Sequence, residues 1–231
     1  MPTPPKTPSN VAAADGAKKK GEKKPRSPLA TVIELVVIVA IAVGLAYLIQ
    51  AFIVKPYKIP SGSMEPTLQV GQRVLVDRLG ESLGEPQVGG IYVFHPPEGA
   101  GDGGAENGSE CGSSAYKRGL EACPTPKSKP SETNFIKRIV AGPGDTVSIV
   151  DGQPIVNGKK KSEPYIKPCA IPTEEVCNFP KPIKIPPGHW FMMGDNRGES
   201  DDSRFWGPVP TSWIIGEAFA TYWPPSRIGT L

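Results

Sequence analysis

Histidine and cysteine are scarce in this 231-residue chain, and each scarcity closes off some chemistry. There are two histidines, so a Ser-His-Asp hydrolase would have to use His95 or His189. His95 precedes Pro96-Pro97 at a strand end and His189 sits beside Trp190 in an apolar strand; structural roles suit both better than general-base work. The four cysteines form two local pairs, Cys111/Cys123 and Cys169/Cys177, each able to close a short loop as a disulfide, with free thiols as the alternative. If they are oxidised, a thiol nucleophile is excluded. No cluster of His, Cys and carboxylates has metal-ligand spacing, and neither a metal nor a cofactor is expected. A basic excess is missing from most of the chain as well. The net charge is +3, but residues 1–30 hold seven Lys/Arg and two Asp/Glu, which leaves 19 basic against 21 acidic residues for the remainder. Without a basic stripe, nucleic-acid binding loses its electrostatic support.

What the chain does have is one long apolar run. Thr31–Val54 has Glu34 as its only charge, enough length to cross a hydrocarbon core of about 30 Å. A buried core helix is usually shorter and amphipathic, and a cleaved signal peptide has a shorter apolar region with a small-residue cleavage site. The run therefore reads as an uncleaved anchor in a lipid bilayer. Lys18, Lys19, Lys20, Lys23, Lys24 and Arg26 crowd its N-terminal flank against Lys55 and Lys58 on the other, which places the N-terminus in the cytoplasm and residues 55–231 outside it. Disulfides persist in that compartment, so the cysteine pairs agree with the charge rule. The 1–30 tail, rich in Pro, Lys, Ala and Ser, has too little apolar bulk to offset its ordering entropy and is expected to be disordered.

The outer part reads as a mainly β domain, with short strands expected at Arg73–Asp77, Ile91–Phe94, Phe135–Val140, Thr146–Val150, Pro154–Val156, Ile183–Ile185, His189–Met193 and Ile214–Tyr222. Asp151-Gly152 and Asn157-Gly158 are hairpin signals, which makes Thr146–Val156 a β-hairpin followed by another turn. Residues 97–133 are dominated by Gly, Ser, Pro, Lys and Glu and read as a surface insertion.

With histidine, thiol and metal chemistry set aside, serine with lysine remains. Ile59-Pro60-Ser61-Gly62-Ser63-Met64-Glu65-Pro66-Thr67 begins soon after the anchor, and its prolines frame a Ser-Gly-Ser turn in which Gly62 allows a sharp bend and a close approach. A plain Pro/Gly/Ser linker has the same composition. A serine hydroxyl needs a base, and lysine serves when desolvation lowers its pKa. Strand alternation puts Lys137 on one face with Phe135 and Ile139, in apolar surroundings if that face packs inward and in water if it does not. Met193–Arg204 gathers hydroxyls, carboxylates and arginines in one loop, either a supporting network or a solvated polar loop.

Four segments, PSGSMEPTL, GQRVLVD, FIKRIVAGPGD and MGDNRGESDDSRFWGPV, resemble the ordered sequence boxes of bacterial type I signal peptidases, the membrane-bound Ser-Lys proteases that remove signal peptides from exported proteins. The resemblance implies an extracytoplasmic all-β catalytic domain behind a transmembrane helix in the bacterial inner membrane, acting on signal-peptide-bearing preproteins after A-x-A-like sites. Residue by residue, it implies Ser63 as nucleophile, Lys137 as general base, Ser61 with the Ser63 backbone N–H as oxyanion donors, and Ser200 as the hydroxyl that orients the lysine. Arg138, Asp195, Asp202 and Arg204 match positions that support the site. Two departures stand out: Ala141-Gly142-Pro143-Gly144-Asp145 where members commonly have Gly-Leu-Pro-Gly-Asp, and Gly198-Glu199 in place of Asp-Asn.

Overall fold

Prolines bracket the apolar run and set where its helix ends. In this computed structural model, which describes residues 28–78, 84–101, 111–113 and 120–231, helix α1 spans Pro28–Phe52. Pro28 is tolerated in the first turn, where its missing N–H is unneeded, and Pro56 cannot continue a helix. At about 1.5 Å per residue the helix is about 37 Å long. It is long and apolar enough to cross a membrane, and its side chains from Pro28 to Leu48 are all exposed. The expected run ended at Val54; the structure ends the helix at Phe52, and Val54 opens the first strand. The tail expected to be disordered lies, through Ser27, outside the described residues.

Beyond the helix the described chain is mainly β, as its alternation predicts. The strands are β1 (Val54–Lys58), β2 (Arg73–Asp77), β3 (Ile91–Phe94), β4 (Phe135–Ala141), β5 (Thr146–Val150), β6 (Gln153–Val156), β7 (Lys159–Lys160), β8 (Phe179–Lys184), β9 (His189–Met193), β10 (Val209–Pro210), β11 (Ile214–Trp223) and β12 (Gly229–Thr230). The larger sheet has the order β1-β2-β11-β3-β4-β9-β10, with β12 paired to β11, and the smaller has β7-β6-β5-β8. Four of the expected strands fall on β2, β3, β5 and β9 to the residue. The main misses have a common cause in proline and brevity. Pro56 lies in β1, an edge strand, and Pro180 and Pro182 interrupt β8, another edge, where a missing N–H costs no ladder bond. Only Ile183–Ile185 showed there as strand.

β3 and β4 sit between two cores. Ile91 and Val93 of β3 and Ile136 of β4 join Ile59, Met64, Leu68, Val74 and Val76 on one side. Tyr92, Phe94 and Ile139 join Val147, Ile149, Phe179, Phe191 and Trp206 on the other, so this second core also binds the smaller sheet to the larger. Each such fully buried side chain stabilises the fold by about 1.5–3 kcal/mol. In the 97–133 segment, Ala100 and Ala122 belong to the larger core, and Cys111 is bonded to Cys123. Cys169 is bonded to Cys177.

The two hairpin signals form as expected, with positive φ at Asp151, Gly152, Asn157 and Gly158. They differ in their surroundings. A Cβ on Gly158 would meet nothing within 4 Å, whereas one on Gly152 would stand 2.7 Å from Cys169 Sγ and 3.2 Å from Arg197 Cβ. Gly158→Ala should therefore cost only the strain of a left-handed alanine, about 1 kcal/mol. Gly152→Ala should cost clearly more, a difference that urea midpoints of the two variants will show.

Candidate active site

The Ser-Gly-Ser segment is held from below by apolar side chains. Gly62–Met64 forms a single 3-10 turn, with Met64 and Leu68 fully buried beneath it and Ile59 buried just ahead. Ile59 N–H donates to Gln72 O at 2.8 Å and Gly71 N–H to Ile59 O at 2.9 Å, which fixes the chain as it enters the turn. Ser63 is 8% exposed. Gly62 is not at positive φ, and a Cβ there would approach only the Glu65 side chain, at 3.3 Å, so the chain turns at Gly62 as expected but without using the conformational freedom of glycine. The buried Met64 and Leu68 set the turn instead.

β4 delivers Lys137 to the same place. Its side chain shares a face with Phe135 and Ile139, as alternation predicts, and that face packs inward: Lys137 is 4% exposed. Lys137 Nζ donates to Ser63 Oγ at 2.7 Å and lies 5.3 Å from the centre of the Phe135 ring. Burial drives the lysine pKa down from 10.5 to about 8, with Arg204 assisting and Asp202, Asp201 and Asp195 pulling the other way. Ser61 Oγ is 3.4 Å from Ser63 Oγ. These groups open onto a cavity of about 420 Å³, lined by Pro60–Ser63, Thr133–Lys137, Ala100, Gly101, Glu199 and Asp201.

The loop after β9 closes the far side. Ser200 is buried, and its Oγ has no hydrogen-bond partner among the described residues; the contact to Lys137 that the sequence resemblance implies is not made. Gly194 separates it from the serine turn, since a Cβ on Gly194 would stand 2.2 Å from Ser200 Oγ and 2.4 Å from Ser63 O. Helix α2 (Ser203–Trp206) begins at Asp202, whose carboxylate accepts from Arg204 Nε at 2.8 Å and from Gly194 N–H at 3.1 Å. Burial opposes the Asp202 charge, but the Arg204 guanidinium and these bonds hold its pKa below the usual carboxylate range. Asp195 is bidentate to Arg138, at 2.9 and 2.7 Å, and accepts from Thr67 Oγ1.

Several residues of this site were not singled out by sequence. Asn196 N–H donates to Ser63 O at 3.0 Å and its Nδ2 to Gly62 O at 3.1 Å, tying the loop directly to the serine turn. Arg197, fully buried, donates to Gly194 O and Gly152 O and pairs with Glu163 at 2.6 Å. Asn196 and Arg197 lay inside the polar Met193–Arg204 cluster, so its density was a signal for them. Nothing in the sequence marked Glu163. His95 and His189 lie outside the site, with Nδ1 atoms at the carbonyls of Thr133 and Pro187.

Comparison with known proteins gives the family of the chain. A family model described as signal peptidase, peptidase S26, matches residues 32–223. A signal peptidase I of Leptolyngbya laminosa is 34% identical over 100% of this chain and 94% of its own length. One from Mycobacterium tuberculosis is 35% identical over 93% and 80%, and a probable signal peptidase I-2 of Synechocystis is 35% identical over 91% and 82%. A crystal structure of a signal peptidase I from Enterococcus faecalis covers 58% of this chain and 97% of that one at 22% identity, with a TM-score of 0.33, too loose a match to bear on the site. With the family model covering most of the chain and relatives matching nearly end to end, this chain belongs to the signal peptidase family, peptidase S26.

Proposed function

We propose that the chain is a membrane-anchored serine endopeptidase that cleaves N-terminal signal peptides from exported preproteins, after A-x-A-like sites, through a Ser63–Lys137 dyad. The observation that carries this reading is the 2.7 Å contact between Lys137 Nζ and Ser63 Oγ at the wall of a cleft. With the amine neutral, that contact runs from the serine hydroxyl to the lysine lone pair. Lys137 takes the proton as Ser63 attacks the scissile carbonyl. The oxyanion falls to the Ser61 hydroxyl and the Ser63 backbone N–H. The protonated lysine returns its proton to the leaving amine, which frees the mature protein. Water, giving its proton to the same lysine, then releases the signal peptide from Ser63.

The edge of β4 supports the mode of binding. β9 ends at Met193 opposite Arg138, so Phe135–Lys137 pair with no strand on that side among the described residues. An extended substrate adds there as a strand, its small side chains entering shallow pockets. Arg138, Asp195, Asp202 and Arg204 are assigned the support of the site, whereas Ser200, whose hydroxyl has no hydrogen-bond partner among the described residues, is given no part in orienting the lysine. Helix α1 anchors the protein in the bacterial plasma membrane with the N-terminus cytoplasmic, in keeping with the basic flank.

In detergent, the full chain should cleave a preprotein after an A-x-A-like site, and Ser63→Ala and Lys137→Met should be inactive with unchanged circular dichroism. Retained cleavage by Lys137→Met would sink the dyad. Ser61→Ala should lower the rate by about 10²–10³, the usual effect of losing one oxyanion donor; a wild-type rate would remove Ser61 from the mechanism.

The pH dependence follows from the lysine. Cleavage needs neutral Lys137, so kcat/KM should fall about tenfold per unit below an apparent pKa near 8. A limb that rises only near pH 10 would contradict the desolvation. Stability carries the same signature. The folded value of about 8 lies below the unfolded 10.5, so below pH 8 the folded state bears the full penalty of a buried ammonium. That penalty is about 3 kcal/mol. It fades as pH rises from 8 to 10.5. Lys137→Met should therefore be more stable than the parent at pH 7, by up to that amount, with the difference shrinking in alkali; equal urea midpoints across this range would refute it.

A further inference from the structure

The stem of the 97–133 segment reaches the catalytic cleft. Its base is closed by a bridge between Pro97 and Pro130, with Glu98 N–H donating to Lys129 O at 3.0 Å and Ser131 N–H to Pro96 O at 2.7 Å. From this base Ala100 turns into the larger core and Gly101 lies at φ +84, a conformation that suits glycine. The backbone at Gly101 is packed onto Phe135: a Cβ there would stand 2.9 Å from Phe135 Cζ. That ring is the one over which Lys137 Nζ lies. Gly101 N–H donates to Asp201 Oδ2 at 2.7 Å, a link across 100 residues of sequence. Ala100, Gly101 and Asp201 then line the same cavity as Ser63, Phe135 and Lys137.

We propose that Asp201 is a positioning residue for the peptidase reaction: by clamping Gly101 it makes the 97–101 turn a wall of the substrate cleft, and that wall holds the peptide beside the scissile bond. The inference rests on the Ser63–Lys137 reading given above. A carboxylate accepts from a backbone N–H more strongly than a neutral acid does, so the clamp is tightest when Asp201 is charged. Burial and the adjacent Asp202 charge push Asp201 up to about 6, against the Gly101 N–H, Lys137 on β4 and Arg204 on α2. Glu199, on the same loop, faces the same cavity. The clamp is therefore charged above about pH 6 and neutral below it.

The alternative is that Asp201 only finishes a turn, in which case its loss alters stability and leaves substrate binding alone. Steady-state kcat and KM for a signal-peptide-bearing peptide, from pH 5 to 9, separate the two for the full-length parent, Asp201→Asn and Gly101→Ala. Asp201→Asn should raise KM about fivefold at pH 8, more than it lowers kcat. The parent's KM should climb toward the variant's as pH falls through 6, while the variant's stays flat. Gly101→Ala, which leaves Asp201 in place and pushes on Phe135, should raise KM too. Thermal midpoints at pH 8 should show Asp201→Asn no less stable than the parent, because a poorly solvated charge has been removed. A parental KM in Asp201→Asn at every pH, or the same rise below pH 6 in both proteins, would overturn the proposal. A parent that cleaves nothing would instead overturn the Ser63–Lys137 reading on which it stands.

Discussion

The proposed reaction depends on keeping one lysine dry. Burial that keeps water from an ammonium makes a primary amine lose its proton nearer neutrality, and Lys137 is buried beside Phe135 and the serine turn. Carboxylates nearby would undo the effect by holding the proton. Asp202 is the strongest of them, and its charge is taken up by Arg204 and by the Gly194 N–H, while Arg204 in its turn repels the ammonium. The pair presents a dipole to Lys137 where a bare carboxylate would present a charge, so desolvation prevails.

That arrangement has to be assembled from distant parts of the chain. Ser63 and Lys137 are 74 residues apart. The turn is located by Met64 and Leu68 in the smaller core, and the lysine by β4, whose neighbours β3 and β9 fix its register on both sides. Asn196 closes the circuit from the β9 loop to the carbonyls of Gly62 and Ser63. Because each tie belongs to a different element, a shift in any one moves the serine relative to the amine, and the proposed proton transfer tolerates little of that.

The parts of this layout that were legible in sequence are those with a local signature. Alternation placed Lys137 with Phe135 and Ile139, Asp-Gly and Asn-Gly placed two turns, and twenty-odd apolar residues placed α1. Pairing partners were not legible, since register between strands such as β3 and β11 has no local trace. Nor were β1 and the Phe179–Pro182 part of β8, where proline conceals an edge strand. Composition suggested a surface insertion at 97–133, yet Ala100 and Ala122 pack into the core: alanine and glycine in a polar stretch carry no periodicity from which burial can be read. Glu163 was invisible for a similar reason, being an acid in a run of Lys, Ser and Pro whose partner, Arg197, is 34 residues on.

The buried ion pairs bear on why the fold is built this way. Arg138–Asp195, Arg204–Asp202 and Arg197–Glu163 all remove charge from water, and such pairs seldom add stability over well-packed apolar residues of the same size. Stability here has another source, the two apolar cores on either face of β3 and β4. What the pairs supply is direction. A bidentate guanidinium accepts few geometries, so Arg138 sets the angle of Asp195, and Arg204 that of Asp202 and the Gly194 backbone. Apolar packing alone would tolerate small displacements of this loop. Gly194 leaves no room for them, with Ser200 Oγ on one side and the Ser63 carbonyl on the other. The polar network is therefore best understood as a device for angular precision, set on a scaffold whose free energy comes from elsewhere.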